Sequence, residues 1–70
     1  MKKLMDELFP VEELMRHPDV NGDSVMVGDK VRHFRAGFTG EVTRITRDRG
    51  RVVFWVGTQE WNPHDVRRVG

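Results

Sequence analysis

Along the first part of the chain apolar residues recur at helical spacing, and from Val25 onward the spacing shortens to strand-like alternation. Leu4, Met5, Leu8 and Phe9 fall together with Asp6 and Glu7 between them, which predicts a short amphipathic helix over residues 2–9. Pro10 suits a first helical turn and Glu12 and Glu13 suit the positive end of its dipole, so the helix continues, or a second one starts, with Val11, Leu14 and Met15 on its apolar side. Pro18 blocks continuation past His17. Residues 17–24 then read as a polar connector.

The rest of the pattern is a run of short strands. Gly28-Asp29 turns the chain into a strand over residues 30–34, a loop with Gly37 follows, and Gly40 opens a second strand. Val42 and Ile45 on that strand are three apart, where same-face residues of a flat strand are two apart, so a bulge or strong coil is expected at Thr43 and Arg44. Asp48-Arg49-Gly50 predicts a hairpin in which a left-handed Gly50 closes a type I turn with a bulge. Residues 51–56 carry the strongest strand signal, being β-branched or aromatic from Val52 to Val56. A fourth strand is expected over residues 59–61. One helical turn follows, with Asn62 as N-cap and Pro63 at its first position, and a last strand over residues 66–69 closes the sheet against the first. Five strands at hairpin spacing suggest a closed barrel over residues 24–70, behind an acidic helical arm and connector over residues 1–23.

Length and charge sharpen this outline. Seventy residues make one domain at most, and a chain of this size buries only about 60% of its unfolded surface. There is no cysteine to staple it, so apolar packing must hold it together; that absence and the lack of an apolar run long enough to span a membrane suggest a cytoplasmic protein. Residues 1–23 hold three basic and six acidic side chains and residues 24–70 hold nine against five, so an arm of net −3 precedes a body of net +4. Such an arrangement suits a body that binds polyanions, or an arm that folds back and neutralises its own domain.

Catalytic chemistry has little to work with. Ser24 is the only serine, and His17, His33 and His64 lie in separate segments without ligand spacing, so no enzyme activity, metal or cofactor is expected. Asp19-Val20-Asn21-Gly22-Asp23 has the composition of a calcium loop but not its spacing, with Lys30 where the closing acid should stand. Binding chemistry is richer. Arg44, Arg47, Arg49 and Arg51 cluster along one predicted hairpin and Arg32 and Arg35 flank the first loop, a candidate stripe of guanidinium groups for a polyanion, against the plainer account of a solvated surface. Trp55 and Trp61 are candidates for a base-stacking platform or a methyl-lysine cage, although such tryptophans are more often core or lid residues; Phe38 is a candidate apolar anchor.

Gly28-Asp29-Lys30-Val31-Arg32, the loop through Gly37, Gly40-Glu41-Val42-Thr43-Arg44-Ile45 and the basic hairpin into Arg51-Val52-Val53 resemble the KOW motif. That motif is the SH3-like unit of NusG-type transcription factors and several ribosomal proteins. The likeness covers residues 27–56, with a first loop about two residues shorter than the family's. It implies a five-stranded SH3-like barrel, here preceded by one or two short helices, and a non-enzymatic binding module for RNA or for a protein of the transcription or translation machinery. Residues 28–42 are also similar to plasmid-borne type II dihydrofolate reductases, but the chain has no tyrosine for their catalytic Gln-Ile-Tyr segment. The expected binding residues are Arg35, Phe38, Arg44, Arg47, Arg49, Arg51, Trp55 and Trp61, with no membrane and no small-molecule substrate as partner. The alternatives are a phage or mobile-element adaptor that captures a host protein with its helical arm, and a Tudor-like reader of methylated side chains.

Overall fold

The computed structural model describes residues 11–69, so the helix expected over residues 2–9 lies outside it. Among the described residues the fold is mainly β, with nine short strands in three antiparallel sheets. One sheet runs in the order β1 (Glu12–Glu13), β6 (Arg44–Asp48), β7 (Arg51–Val56), β8 (Gln59–Trp61). A second runs β5 (Phe38–Glu41), β4 (Lys30–His33), β9 (Val66–Arg68), and a two-stranded strap joins β2 (Arg16–Pro18) to β3 (Ser24–Met26). No described helix is long and apolar enough to cross a membrane.

Alternation sets the core. Ile45, Phe54 and Trp61 face inward from the first sheet, Val31 and Val66 from the second and Val25 from the strap, and all are buried, with Val52 and Val56 packed against them. The sheets come so close that a Cβ on Gly40 of β5 would lie 2.5 Å from Val56 Cγ1 of β7. Only a residue without a side chain fits at that approach, and the sequence places glycine there.

The irregular spacing of Val42 and Ile45 marks a corner. Val42 donates to the carbonyl of Asp29 (2.9 Å), whereas Thr43 donates to that of Trp55 (2.8 Å), so two residues carry the chain from one sheet to the next. Both Val42 and Ile45 are thereby buried. The turn after β8 forms as its sequence suggests: Asn62 caps the 3₁₀ turn Pro63–Asp65 by accepting from the His64 amide, and β9 then pairs with β4.

Three expectations are corrected. Residues 11–16 are not helical: β1 adds to the edge of β6, Leu14 donates to the Ile45 carbonyl (2.8 Å) and packs on the core, while Val11 and Met15 stay exposed. Pairing with an open strand edge, together with two acid–arginine contacts, outweighs the weak preference of so short a helix. In place of five strands in one cylinder there are nine in three sheets, because the second strand breaks at Val42-Thr43 and residues 12–18 contribute strands of their own. The hairpin between β6 and β7 is a two-residue loop, with Asp48 opposite Arg51 and positive φ at both Arg49 and Gly50, which is the pattern of a type I′ turn rather than a bulged type I.

The segment read as a connector is also organised. The buried carboxylate of Asp19 accepts from the amides of Asn21 (2.8 Å) and Asp23 (2.9 Å), closing the β2–β3 loop, and from the Arg68 amide (2.6 Å), which ties that loop to β9. A charged acceptor shared by three backbone donors makes this one of the stronger polar contacts in the molecule.

Candidate functional site

Cross-strand partners share a face, and on the outer side of the first sheet the register brings together Arg44 with Trp55, Thr46 with Val53, and Asp48 with Arg51. Glu60 of β8, opposite Trp55, joins them. With Val11 and Arg49 these residues line a groove of about 580 Å³. Successive rows on one face of a strand lie ~6.8 Å apart. The middle row, Thr46 and Val53, is buried and forms a floor, while Arg44, Trp55 and Glu60 make one wall and Asp48 and Arg51 the other. The Trp55 indole is held in place, because its Nε1–H donates to Thr46 Oγ1 (2.9 Å). A fixed, partly exposed indole loses little freedom on binding, which suits it to anchor a partner.

The groove is not uniformly basic. Arg44 makes a two-pronged ion pair with Glu13, and Arg47 donates to Glu12 (2.9 Å). Hydrogen bonds from these guanidinium groups hold the carboxyls of Glu12 and Glu13 below their usual range and raise the two arginines in turn. Thus two acids of the N-terminal segment neutralise half of the expected arginine cluster. Asp48 and Glu60 stand beside the remainder.

Of the eight residues expected to bind, Arg44, Arg49, Arg51 and Trp55 meet at this groove. Arg47 does not line it, since strand alternation turns it to the side opposite Arg44, where its field reaches His17. Arg35 and Phe38 sit at the hairpin between β4 and β5: Arg35 pairs with Asp65 (2.7 Å) and Phe38 is 60% exposed. Trp61 is core, packed edge-on with the His33 ring at 5.4 Å between centroids, and donates to Gln59 Oε1 (3.1 Å). Because Trp61 pairs with Phe54 and Trp55 with Glu60, the two indoles lie on opposite faces of the sheet and form no cage.

A second depression, of about 410 Å³, lies between the strap, the β6–β7 turn and the 3₁₀ turn, with Arg51, His17 and His64 on its walls. His17 packs edge-on against Phe54, and burial, followed by the charges of Arg47 and His64, pushes its pKa down. No group of His, Asp and Glu able to hold a metal occurs among the described residues.

Sequence reasoning missed Glu12, Glu13 and Thr46. The acids were legible only as helix-start residues; their signal was the opposite charge of arm and body, which the ion pairs realise. Comparison of the chain with protein-family models, curated sequences and solved structures finds no match.

Proposed function

We propose that the chain is a non-enzymatic binding module of KOW-type, SH3-like construction that docks on a protein of the transcription or translation machinery. Its supports for the architecture are the pairing of β4 with the last strand, β9, the run from β5 to β6 bent across two sheets, and a 3₁₀ turn before β9. The observation that carries the function is the groove: a pinned Trp55 beside a floor of Thr46 and Val53, walled by both signs of charge. Mixed walls suit an extended protein segment with an apolar anchor between a base and an acid, whereas Asp48 and Glu60 repel a continuous polyanion. The protein form is therefore favoured over RNA at this surface.

Affinity purification from the source cell after nuclease treatment, with wild type and Trp55→Ala in parallel, tests the reading. The expected result is a nuclease-resistant protein partner that Trp55→Ala fails to retain. Equal recovery by both proteins counts against the groove, and a partner lost on nuclease treatment counts against the protein form.

A further inference from the structure

The outer face of the second large sheet has a different charge balance. Alternation in β4 turns Val31 and His33 inward and Lys30 and Arg32 outward, and the register sets Arg32 directly opposite Arg67 of β9 on one side and Thr39 of β5 on the other. Cross-strand partners bring their Cβ atoms to ~4.5–5.5 Å, where like charges destabilise a sheet. Among the described residues neither arginine makes an ion pair, because the acids around them are engaged elsewhere. Asp65 holds Arg35, Asp29 lies 3.5 Å from Arg68 and accepts from the Met26 amide, and Asp19 is taken by three backbone amides. Glu41, opposite Lys30, is the remaining described acid of the face.

An aromatic completes the patch. Phe34 follows Arg32 by two positions, is 42% exposed, and is held to the end of β9's approach by its amide's bond to the Asp65 carbonyl (3.2 Å). A sheet gains nothing in stability by setting two arginines against each other. An anion reached by both side chains turns that juxtaposition to advantage, since each guanidinium then donates to the same group.

We propose that this face binds the sugar-phosphate backbone of a single-stranded nucleic acid, with Arg32 and Arg67 bracketing one phosphate, Lys30 meeting a neighbouring one and Phe34 stacking on a base. The row of cations selects a polyanion over a lone anion, and the exposed ring supplies what a bare polyanion does not use. The surface is separate from the Trp55 groove, with the core between them, so either can fail without the other.

The test is a titration of the full chain with a short fluorescein-labelled oligouridylate at about 50 and 200 mM salt. The two phosphates so contacted on a single strand predict an affinity loss of roughly 7-fold across that range. Arg32→Gln or Arg67→Gln should each weaken binding, the two changes together should flatten the salt slope by about 0.7, and Phe34→Ala should weaken binding on the order of tenfold without changing the slope. Trp55→Ala should bind as wild type does. A melting curve for Arg67→Gln at or above the wild-type midpoint excludes loss of fold as the cause. The proposal is overturned if the oligonucleotide does not bind at the lower salt, if Arg67→Gln leaves affinity and slope unchanged, or if polyglutamate competes as well as unlabelled oligouridylate.

Discussion

The two large sheets carry arginines in opposite circumstances. On β6, Arg44 and Arg47 each meet a glutamate that the N-terminal segment brings to them, and the contact helps to hold a two-residue strand in place. Between β4 and β9, Arg32 and Arg67 stand opposite each other in register. The same residue type is part of the fold's own electrostatics on one side and is set against its own kind, without an acid partner among the described residues, on the other. A count of basic residues therefore says little about where a ligand binds; what matters is which charges the fold has already answered.

The contrast can be removed altogether at the core that both faces rest on. Phe54 is fully buried between the sheets, and Phe54→Ala should cost about 3–5 kcal/mol, enough to unfold much of so small a domain. Circular dichroism melts would then show loss of cooperative unfolding and both surfaces should disappear together.

A milder change separates the faces. Asp19→Ala leaves the amides of Asn21, Asp23 and Arg68 without their acceptor and should cost about 2–3 kcal/mol. Hydrogen exchange should quicken in β9 and the β2–β3 loop while the β6–β7 amides keep their order of protection. Uniform quickening across both sheets would mean that the tie holds the whole fold rather than one face.

Acid should act on the N-terminal segment in two steps. His17 is shifted below its ordinary value by burial, so the fold favours its neutral form; that contribution is complete above the unfolded value of about 6.5 and is lost as pH falls through the lower, folded one. Glu12 and Glu13 are shifted down by their arginines, so their contribution is complete above the usual carboxylate range and is lost as pH falls through their folded pKa. Melting midpoints should accordingly decline first below about pH 6.5 and again in the carboxylate range. His17→Phe should remove the first decline and leave the second.

Much of the body was legible in the chain because local chemistry and tertiary packing agree there. The alternation from Val52 to Val56, the Asn62-Pro63 start of the 3₁₀ turn and the misfit between Val42 and Ile45 each predict what forms. Residues 11–16 were misread because acids after a proline are equally the start of a helix and the ion-pair partners of a strand more than thirty residues away. Periodicity in a short window cannot separate the two. The site was legible in part for the same reason. Arg44, Arg51 and Trp55 share a face by strand alternation, while the opposition of Arg32 and Arg67 depends on β4 pairing with β9 in one register.

The smallest expected effect is also the sharpest probe of the contrast between the faces. In thermal melts at low salt and neutral pH, Arg44→Gln and Arg67→Gln are compared with wild type. Removing the answered charge should lower the midpoint, whereas removing the opposed one should raise it by a few degrees, on the order of 0.2–1 kcal/mol for relief of a like-charge pair. Opposite signs are expected; a fall of similar size in both variants would mean that the two arginine pairs do not differ in the way described.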